Sequence, residues 1–313
     1  MPDPGEIPTP ERFGSNRTAG YGGTGGLKRR DSRITPCAAV ALSAAAGLAG
    51  CGLTEGQESN RYFNMAKKNF SGSWRGVVGI IKPTYRPGSL EEFIRLLPEG
   101  IGVIPKFLDV REGLEKEFVD AFALAEKIIG ELAEMKVDLI HPEGAPLFVQ
   151  KGYSQSEQII RQWEEKYSIP IVTTGMVLVE AAKALGINKL LAISSFDDGS
   201  SSGRLAKYSS YFSDAGFQVP AVEGFPVAFS DIGSVSPHEA YAFVRKVYLK
   251  YPYSDGICLI GSGWRVLDVV PLLEQDLQIP VVCAVAARVW AIQKRLRVRQ
   301  PVKGRGMLLE TMP

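Results

Sequence analysis

Two short apolar runs in this 313-residue chain each end in a glycine turn. Val137 to His141 leads through Pro142 and Glu143 to Gly144, and Gly256 to Ile260 leads to Gly261-Ser262-Gly263. A strand that stops at glycine and hands over to a helix leaves backbone N–H groups that can face an anion. Two such turns facing one cleft suit a small carboxylate or dicarboxylate. Chemistry at the carbon beside a carboxylate builds up an enediolate, which pre-set N–H donors stabilise, and it requires a group that delivers or removes a proton.

Few residues near the turns have the chemistry for that task. Ser262 is the protic group of the second turn, and it would equally cap the helix carrying Leu267 and Leu273. Glu143 is a general acid or base if partial burial raises its pKa, and a helix N-terminal acid otherwise. Lys82 ends the first strand at the expected ligand edge, where a cation would hold a carboxylate; a solvated strand-end lysine is the plainer reading. Ser194, Ser195, Asp197 and Asp198 form a polar loop at another strand end, with Asp-Asp-Gly also serving as turn chemistry. His141 falls inside a strand and reads as an internally bonded histidine, whereas His238 falls in the first turn of a helix and reads as exposed. Cys258 alternates with Ile260 in a core strand and Cys283 follows the last strand, so both read as inert buried thiols, Cys283 being the nearer to a cleft.

The elements that must position these residues alternate. Gly76 to Ile81 reads as a buried parallel strand, followed by an extended segment at Ile101 to Phe107. Leu114, Phe118, Ala121, Phe122, Ala125, Ile128, Ile129 and Leu132 recur on one helical face. Ser154 to Glu157 has capping-box spacing before a helix carrying Ile159, Ile160 and Trp163. Ile169 to Val172 reads as a strand, with Thr174 capping a helix that Gly186 stops. The pattern then restarts: strands at Lys189 to Ile193, Gln218 to Val222, Gly256 to Ile260 and Ile279 to Val282, with helices between and after them. Ser236-Pro237-His238-Glu239 combines an N-cap, a first-turn proline and a capping box. Asp138-Leu-Ile leading to Gly144, then Ile169-Pro-Ile-Val, is echoed by Asp255-Gly-Ile leading to Gly261, then Ile279-Pro-Val-Val. This pseudo-repeat predicts two like α/β units whose turns lie at the carboxyl ends of strands, where open sheets place ligands.

Composition sets the outer limits. With 45% hydrophobic residues the chain can bury a large core. Thirty-six basic against 34 acidic residues leave a net charge of +2, too balanced for a nucleic-acid partner. No apolar run reaches membrane-spanning length, and four cysteines with two histidines argue against a disulfide scaffold or a His/Cys metal site. Residues 1–64 differ from the rest, holding 11 of the 33 glycines and six arginines against one lysine. They read either as a processed leader, with Lys28 to Arg30 as its basic region, Cys37 to Gly50 as its apolar region and Cys51 as a lipidated terminus, or as sequence upstream of a true start at Met65. The first reading makes the protein an exported lipoprotein and the second a cytoplasmic one. In neither does this segment bury enough apolar surface to fold as a domain. The body divides into lobes at 65–185 and 186–313.

From about Arg75 to Met307 the chain resembles the arylmalonate decarboxylase and maleate isomerase branch of the aspartate/glutamate racemase superfamily. The matching stretches are Gly79-Ile-Ile-Lys-Pro83, Gly144-Ala-Pro-Leu147, Ala192-Ile-Ser-Ser-Phe-Asp-Asp198 and Asp255-Gly-Ile-Cys-Leu-Ile-Gly-Ser-Gly263, with Leu267-Asp268 beyond. The resemblance implies two pseudo-symmetric parallel α/β lobes of four strands each, flavodoxin- or Rossmann-like, with a cofactor-free site between them. Racemases and isomerases of the superfamily work with a cysteine from each half, and the decarboxylase keeps only that of the second half. Here the two positions are Gly144 and Gly261. The decarboxylase's hydroxyl pair becomes Ala145 and Pro146, and two tyrosine positions become Phe196 and Phe118. Racemisation by paired thiols is therefore excluded, and decarboxylation lacks its familiar proton donor. The expected site has Ser262 and Glu143 moving protons and Lys82, Pro83, Thr84, Gly144, Ala145, Ser195, Phe196, Gly261 and Gly263 around the ligand. The expected function is that of a cofactor-independent decarboxylase or isomerase relative, with a non-catalytic carboxylate binder or sensor as the alternative and a hydrolase or lyase using other cleft residues as a third. A homo-oligomer is compatible with each.

Overall fold

Strands buried on both faces need continuous apolar runs, and two such runs, Gly76–Lys82 (β1) and Leu190–Ser194 (β4), become inner strands of two parallel sheets in the computed structural model. The structure describes residues 72–86, 88–197, 203–261 and 263–313, all within one unit spanning Ser59–Pro313. The expectations for residues 1–64, Cys37 and Cys51 included, and those for Asp198 and Ser262 lie outside the described residues.

In the first sheet, β1 lies between Ile101–Phe107 (β2) and Leu139–Pro142 (β3), in the order β2-β1-β3. Pro105, which cannot donate to a ladder, sits on the edge strand β2. The second sheet has the order β5-β4-β6-β7, with β5 at Val222–Gly224, β6 at Gly256–Ile260 and β7 at Val281–Cys283. All pairings are parallel.

Helices complete the layers. In chain order they are Gly88–Leu96 (α1), Glu115–Glu134 (α2), Ala145–Val149 (α3), Tyr153–Tyr167 (α4), Thr174–Ala184 (α5), Arg204–Asp214 (α6), Pro237–Tyr248 (α7), Val270–Leu277 (α8), Ala284–Arg295 (α9) and Met307–Thr311 (α10). The predicted face of α2 is buried through Phe118, Ala121, Ala125, Ile128, Ile129 and Leu132, whereas Phe122 is half-buried and Leu114 is the exposed N-cap. Ser236 caps α7 as its spacing predicts, accepting from the Glu239 N–H while Glu239 accepts from Ser236 N at 2.8 Å.

Four local readings change. Ile169–Val172 is no full strand: it joins β3 through one bridge, Ile140 to Ile171, flanked by two backbone bonds of 3.0 Å. Pro170 has no N–H to extend the ladder. The first sheet therefore has three strands and an incipient fourth. Gln218 to Val222 likewise pairs only at its ends, through a bridge at Gln218 and a strand starting at Val222. Helix α4 is capped by Gly152, not Ser154, whose N–H and hydroxyl donate to Asp214 at 2.8 and 3.0 Å. The cap of α5 is Thr173, accepting from Met176 N at 3.3 Å, which frees Thr174 for another task.

The pseudo-repeat extends to individual hydrogen bonds. Asp138 accepts from Val77 N at 2.7 Å, and Asp255 accepts from Lys189 N at 2.7 Å. Ile140 N donates to Pro170 O and Ile257 N to Pro280 O, each at 3.0 Å. Glu164 accepts from Ile171 N at 2.8 Å and Glu274 from Val281 N at 3.0 Å. Equivalent carboxylates thus fix equivalent strands in both halves.

Candidate functional site

The carboxyl ends of four strands, two from each sheet, meet at one cavity of about 50 Å³. Pro83 and Thr84 reach it from the end of β1, Glu143, Gly144 and Ala145 from β3, Ser194, Ser195 and Phe196 from β4, and Gly261 and Gly263 from β6. The two glycine turns therefore share one opening. A larger open groove of about 590 Å³ between α7 and α8 contains none of these residues.

The first turn spends most of its amides internally. Gly144, at φ 101°, takes a backbone conformation that side chains disfavour, and its N–H donates to Thr174 Oγ1 at 3.2 Å. Pro146 has no N–H, and Leu147 N donates back to Gly144 O at 3.1 Å. Ala145 N–H is left without a partner among the described residues, a narrower donor set than an amide-lined turn suggests.

The second turn leaves no room for a side chain at 261 with Ser195 as placed. Gly261 has φ 94°, and a Cβ placed on it would overlap Ser195 Oγ. The Ser195 side chain thus occupies the space of any side chain at 261. The Ser195 backbone is fixed by its N–H to Ile260 O at 3.0 Å, and its hydroxyl makes no hydrogen bond to a described residue. The neighbouring Ser194 hydroxyl is committed to Phe196 O at 2.9 Å.

Beneath the first turn lies a buried charge cluster. Glu143 Oε1 and Oε2 are 3.1 and 3.2 Å from Lys82 Nζ, and Oε2 is 2.6 Å from Arg288 Nη1 of α9. The three side chains are at most 1% exposed. The Arg288 contact is an ion pair rather than a directed hydrogen bond, and Arg288 Nε and Nη2 have no hydrogen-bond partner among the described residues. Its guanidinium lies 5.0 Å from the Phe93 ring centroid. Glu143 lines the cavity and Lys82 does not, so the sequence-predicted lysine stands behind the carboxylate instead of at the ligand. Burial pushes the Lys82 pKa down, with Arg288 adding to the effect and Glu143 opposing it. His141, fully buried and 3.4 Å from Thr174 Oγ1, is pushed down to about 3, first by burial and then by the Arg288 charge, and is a neutral core residue.

An aromatic wall closes the remaining side. Phe196 and Phe229 pack edge to face at 5.1 Å, with Phe118 6.3 Å from Phe229. Two arginines stack on this wall, Arg86 at 4.3 Å from the Phe229 centroid and Arg204 at 4.5 Å from that of Phe196. Arg86 and Tyr208, neither singled out in the sequence, line the cavity. Tyr208 sits on α6 and burial pushes its phenol pKa up, so its hydroxyl is a neutral donor. The described cysteines lie elsewhere: Cys258 and Cys283 are fully buried, and burial raises both thiols, that of Cys283 to about 11.

A two-lobed α/β fold with one cleft at facing strand ends defines the class of protein, and comparison with known proteins defines the family. The family model for arylmalonate decarboxylase matches residues 92–309, and the chain belongs to that family. Among solved structures, the maleate isomerase of Pseudomonas putida is similar with a TM-score of 0.69 at 17% identity, covering 76% of this chain and 99% of its own. The Nocardia farcinica maleate cis-trans isomerase gives 0.68 at 17% identity, covering 75% and 98%. An arylmalonate decarboxylase gives 0.63 at 20% identity, covering 75% and 99%. At these identities the likeness shows a shared fold. A comparison with curated proteins finds no sequence match.

Proposed function

We propose that the cleft binds a small carboxylate or dicarboxylate and performs cofactor-independent chemistry at the carbon beside the carboxylate, as a decarboxylase or isomerase. The observation that carries this reading is the meeting of Gly144 and Gly261, from opposite sheets, at one cavity. In decarboxylation the bond to the departing carboxylate breaks, carbon dioxide leaves, and the electron pair stays on the substrate as an enediolate. Ala145 N–H and the hydroxyls of Ser195 and Tyr208 stabilise that charge. Lys82, whose pKa burial pushes down, gives up the proton, and Glu143, the one carboxylate on the cavity wall among the described residues and ionised between Lys82 and Arg288, relays it to carbon. Ser262 is the second candidate for that step. Isomerisation uses the same groups, with the proton removed and returned.

A non-catalytic carboxylate binder is the second reading, favoured by the absence of a thiol from the described cavity lining. Incubation with maleate, phenylmalonate and related acids in deuterated water separates the two. Conversion or deuterium uptake supports the enzyme. Ligand-induced thermal stabilisation without either supports the binder, and no response to any acid refutes both. For the enzyme, Glu143→Gln or Ser262→Ala lowers kcat by at least about tenfold per folded molecule if that residue moves the proton; full activity in both variants sinks the assignment.

A further inference from the structure

We propose that Arg86 is the specificity-determining residue of this cleft, holding the second carboxylate of a small aliphatic dicarboxylate and bracing an aromatic wall that excludes ring-bearing acids. The proposal rests on the carboxylate-binding reading above and adds the residue and the size limit. Arg86 is the only cation lining the cavity among the described residues, and among them it makes no salt bridge. Its orientation is fixed twice: Nη2 donates to Phe229 O, and the guanidinium lies over the Phe229 ring at 4.3 Å. Nη1 makes no hydrogen bond to a described residue, and beside it the place of a Cβ on Gly263 is bounded by Ile232 Cγ2 at 2.9 Å. A guanidinium with one arm tied and one facing a cavity is suited to a carboxylate oxygen.

Charge and volume narrow the ligand further. Lys82, Arg288 and Glu143 sum to one positive charge beneath the first turn, and Arg86, partly offset by the Asp231 carboxylate, contributes another at the wall. Two anionic groups on one ligand balance these centres better than one. A water needs about 10–15 Å³ of such space, so about 50 Å³ holds roughly three to five small groups in a row. A phenyl ring would have to displace Phe118, Phe196 or Phe229, which interlock edge to face and are at most 8% exposed.

Isothermal titration with succinate, butyrate and phenylsuccinate tests this without turnover. Butyrate replaces one carboxylate by a methyl group, and phenylsuccinate adds a ring. The wild type is expected to bind succinate at least about tenfold tighter than butyrate, as a charge-assisted contact requires, and to bind phenylsuccinate at least about tenfold more weakly than succinate. Arg86→Met is expected to abolish the succinate preference while leaving butyrate within about twofold, and Arg86→Lys to retain part of it. Equal wild-type affinities, a preference that survives Arg86→Met in a protein of unchanged melting temperature, or tight phenylsuccinate binding overturns the proposal. Should Arg86→Met fail to fold, the wild-type comparison and Arg86→Lys decide. Because binding is the readout, an inactive protein that prefers succinate fails the enzymatic reading and keeps this one.

Discussion

Glu143→Gln preserves the shape of the side chain and removes the charge that two buried cations share. Lys82 Nζ at 3.1 Å and Arg288 Nη1 at 2.6 Å would then face a neutral amide, and all three side chains are at most 1% exposed. Removing one partner of a buried ion pair costs about 3–5 kcal/mol, because the remaining charge stays desolvated. For a unit of this size each kcal/mol lowers the melting temperature by about 2–4 °C, which gives a fall of about 6–20 °C. The exposed pair Lys166 and Glu126, at 3.0 Å, supplies the control; Glu126→Gln should cost under about 1 kcal/mol. Adding Lys82→Met to Glu143→Gln should recover part of the loss by removing one of the stranded cations. Thermal denaturation at neutral pH reads all three. If Glu143→Gln melts within about 2 °C of the wild type, the cluster is not the tight ion triad described.

Other consequences follow from single contacts. Gly261→Cys should destabilise the fold by about 1–3 kcal/mol, because φ is 94° and the new Cβ meets Ser195 Oγ; Ser195→Gly should restore part of the loss in urea titrations, and equal costs in both backgrounds would refute the steric account. Gly113→Ala should cost a similar amount, since Gly113 has φ 75° and a Cβ there would overlap the Phe229 ring; an unchanged denaturation midpoint contradicts this. Buried His141, held down to about 3, binds its proton in the unfolded chain before the folded one. Its contribution is therefore present above the ordinary histidine pKa of about 6.5 and is lost as pH falls toward 3, with a slope of at most about 1.4 kcal/mol per pH unit. His141→Gln should flatten that part of the stability profile, and an unaltered slope would show that other groups produce it.

What the sequence revealed depended on whether the signal was local. The strand at Gly256–Ile260 and the cap at Ser236 were legible because apolar runs and capping spacing act within a few residues. The repeat of Asp138 and Asp255 was legible for the same reason, although its hydrogen bonds to Val77 and Lys189 were not. Ser154 misled because its partner, Asp214, is 60 residues away. The strand at Ile169–Val172 misled because a proline interrupts the donors that pattern alone leaves uncounted.

At the site, the two glycine turns were readable and their chemical neighbours were not. Arg288 lies in the Ala-rich helix α9 and gives no local hint that it reaches Glu143. Arg86 follows the turn after β1 as an ordinary loop arginine, and only tertiary packing stacks it on Phe229. The exchange of bulk between Gly261 and Ser195 joins two strands of one sheet and has no sequence spacing to betray it.

Glycine-selective amide spectra recorded during a succinate titration show whether the two turns share one ligand. If both lobes grip one guest, the Gly144 and Gly261 signals, assigned from single alanine variants, move together along one saturation curve with a common midpoint. Movement of only one signal, or of the two with different midpoints, contradicts a shared site.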